Sequence, residues 1–230
     1  HDRDRPSRIT PFACAVLRDA QLGDGIFSRR HGYSRVNTDP FYDTAVRLNG
    51  LNEYFRIIDD SAYSPTGNDR AFYSIDLIAR APFDYDPASV TAGDRVVFVK
   101  GFGTSSNLEV RLMFDVSLNS NTGGWRAQAW DSNGGGALRE WTVNDDGQLV
   151  VGQYRHIEFG WFDTGYELRV YDKDGTLVGS DTTADITTWN ATSEPIYVGV
   201  DMTASDTPDT DQYLAATLAE FRVCCFDSTT

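Results

Sequence analysis

Between residues 153 and 181 apolar and polar side chains alternate with the two-residue period of half-buried strands. In RHIEFGWF, Ile157, Phe159 and Trp161 alternate with His156, Glu158 and Gly160. In YELRVY, Leu168 and Val170 alternate with Glu167, Arg169 and Tyr171. The Asp174-Gly175 pair accepts the positive backbone angles of a tight turn and returns the chain through TLVGS. This stretch predicts three consecutive antiparallel strands.

The same period runs upstream. From Ala71 to Phe83, Tyr73, Ile75 and Leu77 fall on one side and Phe72, Ser74, Asp76 and Ile78 on the other. RVVFVKGF, residues 95–102, is almost continuously apolar, as an interior strand is. LEVRLMFDVSL and GWRAQAWDS read as further strands separated by the turn residues Asn119 to Gly124. LREWTVNDDGQLVVGQ reads as a second hairpin turning at Asp146-Gly147. With no helical period anywhere, the pattern predicts an all-β, two-sheet antiparallel sandwich.

Three stretches carry a family resemblance. The hairpin from Leu168 to Val178, L-x-V-Y-x-x-D-G-x-L-V, resembles the late hairpin of laminin-G-like domains in the concanavalin A-like lectin/glucanase superfamily. AVRLNGLNEYFRIIDDS (45–61) is similar to their opening strands, and YLAATLAEFRV (213–223) to their closing strand. The resemblance implies a jelly-roll sandwich over residues 44–226; HDRDRPSRITPF, with no apolar period and with Pro6 and Pro11, reads as extended, which leaves an arm over 1–43 and a tail over 227–230. Within the arm, R-x-G-Y-x-R-V-N (30–37) resembles segments that precede β-domains in phage virion and tail proteins.

Charge narrows the partners. The formal charge of −14, from 34 acidic and 20 basic residues, disfavours nucleic acid and anionic membranes. There is no run of about 18 apolar residues, so membrane insertion is not expected. Residues 1–35 run against this balance, with seven Arg against four Asp, a local +3 that leaves −17 for the remainder. Arg3, Arg5, Arg8, Arg29 and Arg30 therefore suit an assembly arm lying on an acidic body, its own or that of another subunit in a homo-oligomer. The chain opens on His1 with no secretory leader and reads as a processed product or part of something longer.

Candidate chemistry is sparse. The three histidines, at 1, 31 and 156, lack His or Cys neighbours at metal-ligand spacing, and no nucleophile elbow or phosphate loop is present. Retaining glycosidases need carboxyls about 5 to 5.5 Å apart, and no strand presents Glu and Asp two or four residues apart on one face. The superfamily's glycosidases carry E-x-D-x-x-E, which is absent here, and its lyases carry Gln-x-His with other motifs that Gln153 to His156 matches only in part. The expectation is a non-enzymatic module, with a polysaccharide lyase or glycosidase as one alternative and a structural subunit, such as a virion decoration, tail or filament component, as another.

Binding has better candidates. Trp125 and Trp130, with Asp131 and Asn133 beside them, form a glycan-binding set in which aromatic faces stack on sugar CH groups and short polar groups take hydroxyls. Trp125 and Trp130 have opposite parity, so one of the two must face solvent or an edge. Asp201, Asp206, Asp209 and Asp211 crowd one loop and offer hard oxygen ligands for calcium, although no cofactor is required. Cys14 with Cys224 or Cys225 allows a disulfide that fastens the arm to the closing strand, or all three remain reduced. Asn190-Ala191-Thr192 is a glycosylation sequon. The reading is a recognition module, extracellular or on a cell or virion surface, engaging glycans or neighbouring protein subunits.

Overall fold

The structure is a computed structural model that describes residues 11–17, 27–29, 34–35, 46–49, 53–57, 64–65, 70–79, 95–115, 117–121, 123–145, 152–162, 165–209 and 213–226. Its strands are β1 (Pro11–Leu17), β2 (Phe27–Arg29), β3 (Ser34–Arg35), β4 (Val46–Asn49), β5 (Phe55–Ile57), β6 (Arg70–Ala79), β7 (Arg95–Gly101) and β8 (Leu108–Asp115). They continue with β9 (Gly124–Asp131), β10 (Ala137–Asn144), β11 (Tyr154–Phe162), β12 (Gly165–Tyr171), β13 (Leu177–Asp181), β14 (Ile196–Val198), β15 (Met202–Ala204), β16 (Thr207–Pro208) and β17 (Ala215–Phe226). The first sheet has the order β13-β12-β11-β6-β17-β4-β3, with β1 also paired to β17. The second has the order β10-β9-β8-β7-β14-β5-β2, and β15 pairs with β16 as a separate ribbon.

Alternation decides which side chains meet between the sheets. Tyr73, Ile75 and Leu77 of β6, Ile157 and Phe159 of β11, and Leu168 and Val170 of β12 join Val110, Leu112, Trp125 and Trp141 of the second sheet in one buried cluster. Aromatic rings interlock across the gap, Tyr73 on Phe98 at 5.1 Å and Trp141 on Phe159 at 4.9 Å. The unbroken apolar run of β7 has two causes. A bulge between Val96 and Phe98 turns both Val97 and Phe98 inward, while Val96 and Val99 meet a second apolar cluster on the sheet's outer side. That second cluster is closed by Val200, Met202 and Tyr213, where the chain leaves β14, crosses outside the sheet and returns to β17.

The three predicted strands from 153 to 181 are β11, β12 and β13, paired in sequence, with Gly175 at φ +78 in the turn. One detail differs from the sequence reading. A short helix, α1 (Leu118–Asn121), follows β8, because Asp115 Oδ1 accepts the Ser117 N–H at 2.7 Å and Gly123 closes the turn onto Leu118 O at 3.0 Å. β10 and β11 lie in different sheets; the Asp146-Gly147 turn of the expected hairpin, with residues 146–151, lies outside the described residues.

Within residues 1–43, β1 runs antiparallel to the closing strand β17, β2 pairs with β5 and β3 with β4. Arg29 is in β2, whereas Arg3, Arg5, Arg8 and Arg30 lie outside the described residues. Among the described residues no helix is long and apolar enough to cross a membrane.

Candidate functional site

Because Trp125, Ala127 and Ala129 of β9 point into the core, Arg126, Gln128 and Trp130 point out. On the same argument β10 presents Leu138, Glu140 and Thr142 outward, and β8 presents Arg111, Met113 and Asp115. Register aligns Arg111, Gln128 and Glu140 directly across three strands, and Trp130 opposite Leu138.

These polar groups form one connected row. Arg111 Nη1 donates to Asp201 Oδ2 at 2.7 Å, and its Nε and Nη2 donate to Gln128 Oε1 at 3.0 and 2.6 Å. Gln128 Nε2 donates to Glu140 Oε1. Arg126 Nη1 reaches the same oxygen at 3.4 Å, with its Nε 2.8 Å from Asp115 Oδ2. Gln128 and Arg111 are buried, while the Glu140 side chain is 41% exposed, so the row surfaces at Glu140. At its other end Asp201 Oδ1 is buried without a hydrogen bond; burial raises the Asp201 carboxyl pKa and Arg111 offsets only part of that.

Trp130 stands beside this row, half-buried. Gly136, at φ +84, lies against one side of its indole: a Cβ there would sit 2.7 Å from Trp130 Nε1. The neighbouring Ser132 to Gly135 are exposed, and nothing lies within 4 Å of an added Cβ at Gly134 or Gly135. Asp131 sets the shape of this rim. Its buried carboxylate accepts the N–H groups of Asn133, Thr188 and Thr187 at 3.1, 3.0 and 3.3 Å and pairs with Arg139 at 3.1 Å. Burial works to raise its pKa, but these donors outweigh it and hold the carboxyl below the usual range.

The predicted glycan set therefore divides. Trp130 and Asn133 face outward at the rim, Asp131 shapes the rim from beneath, and Trp125 belongs to the core with its Nε1 2.8 Å from Asp145 Oδ2. The parity argument holds: Trp125 is inside and Trp130 at the surface. Of the predicted calcium ligands, Asp201 pairs with Arg111, and Asp206 pairs with Arg56 at 3.2 Å and accepts from Tyr197 at 2.7 Å. Asp209 donates its backbone N–H to Asp201 O, and Asp211 lies outside the described residues. Among the described residues no three His, Cys, Asp or Glu side chains converge as a metal-binding group. Cys224 is disulfide-bonded, Cys225 is a buried thiol outside any disulfide, and register sets Cys14 opposite Cys224. The sequon amide of Asn190 is engaged, its Nδ2 donating to Ser106 O and Leu108 O at 2.8 and 2.9 Å.

One cluster escaped the sequence reading. On the outer face of the first sheet His156 lies between two carboxylates, its Nδ1 2.7 Å from Asp76 and its Nε2 3.1 Å from Glu158. Tyr154 donates to Asp76 at 2.6 Å, and the Tyr171 ring lies 5.7 Å from the imidazole. Burial disfavours the imidazolium, but the two carboxylates prevail and push its pKa up to about 9. With both ring nitrogens engaged and the ring charged at neutral pH, His156 is a structural cation. Asp76 is not visible from the sequence of β11 because it arrives from the neighbouring strand, opposite His156 in register. A period-two pattern reports the face of a residue, not its cross-strand partner.

A laminin G family model, described as the concanavalin A-like lectin/glucanases superfamily, matches residues 85–225. No curated protein matches by sequence. Among solved structures, the binding domain of Paraclostridial Mosquitocidal Protein 1 superposes with a TM-score of 0.59 at 10% identity, covering 86% of this chain and 43% of that one. The tailspike protein 2 enzymatically active domain of bacteriophage CBA120 gives 0.54 at 13%, covering 89% and 29%. Peanut lectin gives 0.50 at 9%, covering 93% and 97%. At these identities the likeness is one of fold, and this chain spans under half of the toxin domain and under a third of the tailspike domain.

Proposed function

Since residues 85–225 make the chain a member of the concanavalin A-like lectin/glucanases superfamily, we propose that it is a glycan-recognition module binding through the outer face of β8, β9 and β10. The observation that carries this reading is the half-exposed indole of Trp130, held against Gly136 at the end of a row of guanidinium, amide and carboxylate groups. A sugar ring places CH groups on an indole while its hydroxyls bridge such planar groups. The toxin and peanut neighbours are named a binding domain and a lectin, in keeping with binding by this fold. The disulfide at Cys224 suits an oxidising setting, outside the cell or on a particle surface.

The reading is non-enzymatic, although the tailspike neighbour is named an enzymatically active domain. Around His156 both imidazole nitrogens already hold carboxylates, Asp76 and Glu158, so the ring is engaged within the protein. A glycan array of the chain and of Trp130→Ala tests the proposal, with a product assay on every bound glycan. The proposal expects a defined set of glycans bound without turnover and at least tenfold weaker binding by Trp130→Ala. Equal binding by the variant, or cleavage of a bound glycan, overturns it.

A further inference from the structure

The charges of this face are already spoken for, and that decides which glycans it can take. Arg111 directs Nη1 to Asp201 and its other donors to Gln128, and Arg126 is shared between Asp115 and Glu140. Arg139, at the rim, holds Asp131 through Nε and Nη2. Among the described residues, each cation beside Trp130 therefore has a carboxylate against it. The row carries three carboxylates, Asp115, Glu140 and Asp201, against two guanidinium groups, Arg111 and Arg126. A further carboxylate, Asp181, accepts the Thr142 N–H at 2.6 Å beside it. The acceptors have room to spare. Both bonds to Glu140 reach Oε1, leaving Oε2 of this 41% exposed side chain open.

We propose that the ligand of this face is a neutral, hydroxyl-rich glycan, one without carboxylate, sulfate or phosphate groups. This rests on the glycan-recognition reading. A sugar hydroxyl donates to Glu140 Oε2 without disturbing the row. An anionic sugar meets guanidinium groups whose charge a carboxylate already offsets, and drawing Arg111 away would leave the Asp201 carboxylate buried and unpaired. It also meets a face of net negative charge on a chain of −14, where like-charge contact is repulsive.

The test is a binding titration of the full chain against neutral oligosaccharides and their sialylated and sulfated counterparts, at low salt and at high salt. The expected result is binding of a neutral glycan, with its charged counterpart at least tenfold weaker at low salt. Screening should narrow that gap at high salt. Glu140→Gln, which removes one charge from an exposed side chain and leaves the core untouched, should narrow it as well. A charged glycan bound as tightly as its neutral counterpart, or a gap that neither salt nor Glu140→Gln changes, overturns the inference while leaving Trp130 as the platform. Binding of no glycan of either kind removes the recognition reading and the inference with it.

Discussion

Glu109 shows what a single residue of this chain can hold in place. Its side chain and that of Lys100 are both 0% exposed and lie 3.4 Å apart. It also accepts Trp189 Nε1 at 2.9 Å, the Thr192 N–H at 2.8 Å and the Ser64 hydroxyl at 3.1 Å. Burial raises its pKa, with Lys100 acting in the opposite direction. Removing one member of such a pair leaves the other charged in the interior, so Glu109→Ala is expected to cost about 3 to 5 kcal/mol in chemical denaturation; a loss below about 1 kcal/mol would show that the pair contributes little. His156 makes a prediction in pH. Its folded pKa of about 9 lies above the unfolded value near 6.5. The stabilisation it gives, at most about 3 kcal/mol, is complete below pH 6.5 and is lost as pH rises through 9. The stability difference between the wild type and His156→Gln should accordingly shrink between pH 6.5 and 10, and a difference independent of pH over that range would contradict the clamp.

At the scale of elements, legibility depended on whether a feature is local. The alternation in β6, β11 and β12 and the Asp174-Gly175 turn were readable because period and turn chemistry are set by neighbours in sequence. The bulge in β7 was hidden, since a continuous apolar run reads the same whether a strand is regular or carries an extra residue. The polar row was hidden for another reason. Asp201 lies 90 positions from Arg111 and reaches it from the stretch that follows β14, and His156 lies 80 from Asp76 and meets it through strand register. The rim loop was half legible: the glycines and Asn133 mark a turn, but nothing local says that Asp131 gathers the Thr187 and Thr188 N–H groups from 56 and 57 positions away. Gly136 links loop and platform. Gly136→Val adds a Cβ within 3 Å of the indole at a φ that favours glycine, so it should displace Trp130 and change the near-ultraviolet circular dichroism. An unchanged spectrum with full ligand binding would show that the loop does not position the ring.

Over the whole molecule the sandwich separates two polar faces by one apolar core. The face on the first sheet ties up its charges around His156, whereas the face on the second ends at an exposed carboxylate and an aromatic ring. The closing strand β17 binds the layers of the chain together, pairing with β6 on one side and with β4 and β1 on the other. Its disulfide at Cys224 should contribute about 2 to 4 kcal/mol, so reduction is expected to lower the melting temperature while the buried thiol of Cys225 stays unreactive in the folded protein. Alkylation of Cys225 under native conditions would contradict that packing. If Trp130 receives the ligand, the indole N–H signals of the five tryptophans report it directly in a proton–nitrogen correlation spectrum during titration with a bound oligosaccharide. Trp125, Trp141 and Trp189 hold their indole protons on Asp145, the Tyr166 and Ala184 carbonyls, and Glu109. The Trp130 signal is expected to move with saturation while these three stay in place. A titration in which the Trp130 signal is unmoved at saturating ligand would contradict it.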